Sequence, residues 1–292
     1  MYRKIIVATD VSAASDAVVG CLSTLKTFGT KECLLLQCLS FSQAASAGLA
    51  YDTVPLEAML IAQKKALENQ GFSVETRVVV GAPRHEVVRI AQDENFQLIV
   101  VGTQGHSLAG DKMLGGVAYG VVNKSMKPVL VVPIRKKDTE GQVCEPLSRC
   151  GLNGHILFAS DFSETADNAF AHVETMVASH GVKKITLLHV QDKVRIQKHL
   201  QNRLSEFNQI DTERLERLKG LLQKAGAEDV RIEVAYGMPA QEILACIEKD
   251  NVSMVVMGTQ GRGFFGEVML GSVSHAVARQ ATVPVLLVPV KE

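Results

Sequence analysis

Three glycines at one spacing occur twice in this chain, and glycines spaced in this way can hold a phosphate. Gly102, Gly105 and Gly115 are separated by two and then nine residues, as are Gly258, Gly261 and Gly271. Without Cβ atoms, the first two let the backbone turn tightly and approach a ligand. The third opens a helix whose unpaired N–H groups and dipole attract an anion. After the second set, Ser272 and Ser274 offer hydroxyl donors and Arg262 offers charge. After the first set, Gly116 and Ala118 stand at the serine positions and His106 at the arginine position, so the first copy reads as degenerate. Each copy also ends its first apolar run in an acid, Asp10 and Asp161, which either meets a ligand or caps the helix that follows. The plain alternative for the glycines is a turn used only for packing, which two copies at identical spacing disfavour.

To act together these residues must be brought to one place, and the repeat shows how. KIIVATDVSAASDA, from Lys4, returns as HILFASDFSETADNA, from His155; VVGAPRHEVVRIA returns as AYGMPAQEILACI, and KPVLVVP as VPVLLVP. Everything aligns in order, so the chain is a tandem duplication. Its 292 residues suit two domains better than one core. The boundaries read as a domain over 1–135, an aperiodic charged linker over 136–153, and a second domain over 154–292. Each copy alternates strand and helix; in the second, helices are expected over Glu164–His180, Asp211–Ala225, Pro239–Lys249 and Gly271–Gln280, between five strands. Strands that are continuous runs of Val, Ile and Leu imply burial on both faces, hence a parallel sheet with right-handed crossovers. The fold class is α/β, two Rossmann-like domains in tandem. If the strand order is 3-2-1-4-5, ligands bind between strands one and four, where Asp161 and Gly258 would converge, and Asp10 and Gly102 likewise.

Several function classes fall away. Hydrophobic residues are 47% and charged residues 21%, an ordinary globular balance. Lys plus Arg and Asp plus Glu both number 31, so no net basic field draws nucleic acid or anionic lipid. The apolar runs are far shorter than the roughly 18 residues of a membrane span, and none resembles a secretory signal, so the expected address is cytoplasmic. Six cysteines, at 21, 33, 38, 144, 150 and 246, lack a metal-ligand cadence and read as free thiols; Cys144 and Cys150 stand in the linker at a spacing that would permit a disulfide or half a metal site, but two lone thiols in a loop are usually incidental. Gly261 to Gly266 literally spell GxGxxG, but the acid that a dinucleotide ribose needs about 20 residues on is replaced by VPVLLVP, and no P-loop occurs. His189 reads as a packing residue, and the charges from Asp211 to Lys224 as a solvated helix face.

An Asp ending strand one, G-x2-G-x9-G-[S/T] after strand four and a terminal PVLLVP strand together resemble the universal stress protein family in its ATP-binding branch. The resemblance covers both halves apart from the linker. It implies the 3-2-1-4-5 order, in five-stranded parallel sheets with flanking helices, and an adenine nucleotide, ATP or AMP, with Mg²⁺ when ATP is bound. It implies that Asp161 and the backbone near Val190 meet adenine and ribose, while Gly258, Gly261, Arg262, Gly271, Ser272, Val273 and Ser274 hold phosphates. In the first copy Asp10, Gly102, Gly105 and Gly115 remain, which leaves residual binding there open. The activity implied is that of a nucleotide-binding stress-response or signalling protein acting on an unidentified protein partner, with a homodimer open. A slow ATPase or phosphotransferase of the same fold is the rival.

Overall fold

The computed structural model describes residues 1–41, 44, 60–103, 114–136, 144–146, 154–194, 196, 203–261 and 270–290. The chain divides into two compact units, Met1–Cys150 and Gly151–Lys291. Arg262, Gly105 and His106 lie outside the described residues.

The first unit runs β1 (Lys4–Thr9), α1 (Ala13–Gly20), a 3₁₀ turn (Leu22–Phe28), β2 (Glu32–Leu39), α2 (Ile61–Asn69), β3 (Ser73–Val80), α3 (Pro83–Asp93), β4 (Leu98–Gly102), α4 (Gly116–Lys124) and β5 (Val129–Val132). All pairings in this sheet are parallel, and they give the order β3-β2-β1-β4-β5. Its central strands are closed on both faces: Ile5, Ile6, Ile99, Val100 and Val131 are all fully buried. The edge strand β3 is instead half-exposed and carries Glu75 and Arg77, whose charges blunt an open edge.

A short antiparallel ribbon follows where the sequence reads as linker. It pairs β6 (Ile134–Lys136) with β7 (Cys144–Pro146), and β7 lies against α1. Cys21, which ends α1, is disulfide-bonded, whereas Cys33, Cys38 and Cys246 are free thiols. The reading of all six cysteines as free thiols is therefore corrected at Cys21; spacing in sequence does not reveal which thiols a fold brings together.

The second unit repeats the plan: β8 (His155–Ala159), α5 (Glu164–His180), β9 (Lys184–Asp192), α6 (Leu204–Ala225), β10 (Asp229–Gly237), α7 (Pro239–Asp250), β11 (Met254–Gly258), α8 (Ser272–Gln280) and β12 (Val285–Val288). Its parallel order is β10-β9-β8-β11-β12, the expected 3-2-1-4-5. Local chemistry fixes the helix ends. Ser163 caps α5 by accepting from Ala166 N, Pro239 opens α7, and Gly181 and Gly226 leave α5 and α6 in the left-handed conformation. Helix α6 begins at Leu204, seven residues before the expected start at Asp211. Its inner face buries Asp211, Leu215 and Leu222. Each of the two leucines, removed entirely from water, contributes about 1.5–3 kcal/mol.

Candidate functional site

The turn after β8 aims an acid over the end of the sheet. Phe162 takes a left-handed φ of 59°, and its N–H donates to Ser160 Oγ at 3.0 Å. The first unit builds the same turn with Val11, at φ 58°, and Thr9 Oγ1. Neither residue is glycine, and Val is β-branched, so the conformation costs roughly 1–2 kcal/mol, offset by a hydroxyl acceptor in each copy. The reversal lets Asp161 Oδ1 accept from Ser163 N at 3.1 Å and Ser163 Oγ at 2.5 Å. Ser163, not Asp161, is the helix cap; Asp161 braces it. Asp10 and Ser12 repeat these contacts at the same distances.

The glycine turn after β11 closes against that acid. At Gly258 a Cβ would sit 2.7 Å from Thr165 Cβ and 2.9 Å from its carbonyl carbon; at Gly261 it would sit 2.6 Å from Asp161 Oδ2. Gly271 N donates to Thr259 O at 2.8 Å, and Gly271 caps α8 with extended geometry. The N–H groups of Ser272, Val273 and Ser274 form the first turn of α8, where no intrahelical acceptor exists, so they face outward as anion donors. Ser272 is exposed. Ser274 is buried, and its hydroxyl donates to Gly258 O at 2.8 Å, tying α8 to the end of β11. Its proton is thus engaged inside the fold, while the residue still lines the cavity.

These parts line one cavity of about 500 Å³, with Asp161, Val190, Gly258, Gly261, Gly271, Ser272, Val273 and Ser274 all in its wall. Helix α6 adds Phe207, Ile210, Asp211 and Arg214, which the sequence reading assigned to a solvated face or passed over. Asp211 accepts from Gln191 Nε2 at 3.0 Å and lies 3.5 Å from His189 Nε2 and 3.6 Å from an Arg214 nitrogen. His189 Nδ1 stands 2.7 Å from Ser160 O; a carbonyl only accepts, so that nitrogen carries the proton. Phe162 stacks on the His189 ring, centroids 4.6 Å apart, with the Arg214 guanidinium 5.0 Å from its own centroid. The signal was present in the i, i+3, i+4, i+7 spacing of residues 207, 210, 211 and 214, which one helix face must share.

The first unit keeps a cavity of about 540 Å³ in the corresponding place, lined by Asp10, Gly102, Gly115, Gly116 and Ala118. Cys38 also lines it, its thiol pushed up to about 12 by burial, with the Glu86 charge adding to the effect. A side chain at Gly116 would meet open space. Arg84, exposed at the start of α3, lines this cavity with its stem along Gly120, where a Cβ would fall 2.7 Å from Arg84 Cβ. Counting from the paired glycines, the equivalent positions in the second unit are Ala240 and Ala276.

The sequence and the fold match known proteins. A model of the universal stress protein family matches residues 1–133 and again residues 153–289. A universal stress protein of Methanocaldococcus jannaschii is 32% identical over 154 residues, covering 45% of this chain and 95% of that protein. One from Mycolicibacterium smegmatis is 28% identical over 224 residues, covering 76% of this chain and 70% of that protein. In fold, the crystal structure of a universal stress protein from Archaeoglobus fulgidus has a TM-score of 0.74 to this chain at 24% identity, covering 99% of both. The chain therefore belongs to the universal stress protein family and carries two of its domains in tandem.

Proposed function

We propose that this chain binds an adenine nucleotide, ATP or AMP, chiefly in the second-domain cavity, and serves stress response or signalling by showing a protein partner a surface that depends on occupancy. The observation that carries this reading is convergence. The Asp161 carboxylate, the Gly258–Gly261 turn and the first turn of α8 come from three separate parts of the sequence and share one wall of the 500 Å³ cavity. The α8 N–H groups and the Ser272 hydroxyl suit phosphates, Asp161 suits ribose hydroxyls, and the apolar side chains of Val190, Ile196 and Ile243 suit a base. Mg²⁺ would ride on the phosphate oxygens of ATP, as this cation prefers.

Binding ranks above turnover. Asp161 Oδ1 accepts two hydrogen bonds from Ser163, which holds the carboxylate in place and supports a role in orienting ligand hydroxyls. The test is mass spectrometry of ligand released from denatured protein, followed by titration calorimetry with ATP and Mg²⁺, and with AMP. About one adenine nucleotide per chain is expected. A flavin or nicotinamide in the extract, or no heat with either nucleotide, would overturn the proposal, and steady phosphate release abolished by Ser272→Gly would promote the ATPase reading. Sedimentation of the loaded and empty chain tests the homodimer.

A further inference from the structure

Gln191, in the wall of the second-domain cavity, is 4% exposed. Its Nε2 donates to Asp211 Oδ2 at 3.0 Å, while its buried Oε1 has no hydrogen-bond partner among the described residues. The two ends of the amide cannot be exchanged at no cost, because a carboxylate oxygen accepts and the amide nitrogen must face it. Asp211 is held in turn by Arg214, 3.6 Å away, and lies beside the His189 ring, whose Nδ1–H donates to the Ser160 carbonyl. The amide is therefore oriented through two layers of contacts, and the atom left over is an acceptor. A buried acceptor without a donor loses its solvation with nothing gained in return; Thr30, Gln37 and Gln70 also carry such an atom among the described residues, but of the four only Gln191 lines either domain's cavity.

The first domain shows that the fold itself has no need of this amide. In register with the first strand of each sheet, Leu36 corresponds to Leu188, so the position of Gln191 is held by Leu39. Leu39 packs with Leu60 and Val78 in an apolar cluster. A buried, half-satisfied glutamine in the place of a packed leucine is a local conflict, of the kind expected at functional sites. Gln191 also follows Val190 on β9, two strands away from β11 and the α8 turn, so the cavity reaches it at the end opposite the phosphate donors.

We propose that Gln191 determines base specificity: its Oε1 accepts from the exocyclic amine of a purine bound in this cavity, so that a 6-aminopurine is selected over a purine with hydrogen or oxygen at that position. Asp211 is the positioning residue that keeps the amide nitrogen turned away from the base. An oxygen at the purine 6-position would oppose acceptor to acceptor, and a hydrogen would leave Oε1 buried and unmet. The inference rests on the adenine-nucleotide reading above, and its test separates the two.

Titration calorimetry would compare ATP, purine riboside 5′-triphosphate, which lacks only the amine, and inosine triphosphate, on wild type and Gln191→Leu. The substitution copies the residue the first domain carries. Wild type is expected to bind ATP about 10- to 100-fold more tightly than either analogue, the range for a lost hydrogen bond that strands a buried acceptor. In Gln191→Leu the ATP and purine riboside triphosphate affinities should converge to within about threefold, with discrimination lost rather than binding. Equal wild-type affinity for ATP and purine riboside triphosphate would overturn the role of Gln191 and leave nucleotide binding standing. Failure of all three to bind would overturn the adenine-nucleotide reading itself. Should Gln191→Leu not fold, Gln191→Met takes its place with the same expected convergence, and equal wild-type affinity for ATP and purine riboside triphosphate still overturns the proposal.

Discussion

The Asp161 carboxylate lies against Gly261, so close that a Cβ on the glycine would fall 2.6 Å from Oδ2. The obstruction is the end of one side chain, which can swing aside. Gly261→Ala is therefore expected to fold with a near-normal melting temperature but to bind ATP at least tenfold more weakly, because the acid is displaced from the crevice. Gly258→Ala is expected to behave differently. There a Cβ meets Thr165 Cβ at 2.7 Å and the Thr165 carbonyl carbon at 2.9 Å, neither of which moves easily, so a loss of about 1–3 kcal/mol in urea unfolding should result. Equal stability of the two variants would contradict this division.

The two serines of α8 should separate in the same way. Ser272 is exposed at the first helical position, and removing its hydroxyl by Ser272→Gly should weaken ATP binding roughly 10- to 100-fold with little change in stability. Ser274→Ala removes the bond to Gly258 O and should cost about 1 kcal/mol of stability while affecting affinity less. Calorimetry and thermal melts on both variants read the two effects independently.

The doubled frame and the strand-helix alternation made the tandem α/β class and its parallel sheets legible, because burial on both faces and right-handed crossovers leave few other arrangements, whereas the 3-2-1-4-5 order and its crevice came with the family resemblance. What sequence could not show was the partner of each polar atom. Ser274 resembles Ser272 in type and position, but one helical turn geometry aims its hydroxyl at Gly258 O. Asp211 and Arg214 look like surface charges on a charged helix until β9 sets Gln191 and His189 against them. The degenerate motif of the first copy likewise conceals a cavity of similar volume, since cavity volume follows from the strand ends and not from the hydroxyls lost at Gly116 and Ala118.

Acid should destabilise the second domain through its histidines. Burial pushes His172 down to about 4 and also lowers His155 and His275. The unfolded chain, with histidines near 6.5, binds more protons than the folded one between these values, so stability rises with pH across that window. The contribution is complete above about pH 6.5 and is lost as pH falls toward 4, amounting for His172 to as much as about 3 kcal/mol. Urea unfolding at pH 7.5 and pH 5 should show the loss, and His172→Leu should flatten it. An unchanged pH slope in that variant would contradict the assignment.

The free thiols should be inert in the native chain. Burial pushes Cys33, Cys38 and Cys246 up to about 12, and the Cys246 thiol also donates to Asp250 Oδ2 at 3.3 Å. Since the thiolate is the nucleophile, iodoacetamide at pH 8 should leave all three unlabelled until urea is added. Peptide mass spectrometry reads each site, and it should find Cys21 protected until a reductant is present. Prompt native labelling of Cys33 would show that its surroundings open.

Arg84 along Gly120 in one half, against Ala240 and Ala276 in the other, amounts to an exchange of volume: a long side chain on one helix is matched by a missing methyl on the next. Two identical chains assembling as a pair could never hold this difference, since every change would appear on both sides at once. Joining the halves in one polypeptide frees each crevice to follow its own chemistry and still delivers the two in a fixed one-to-one ratio. That ratio is independent of how much protein the cell makes.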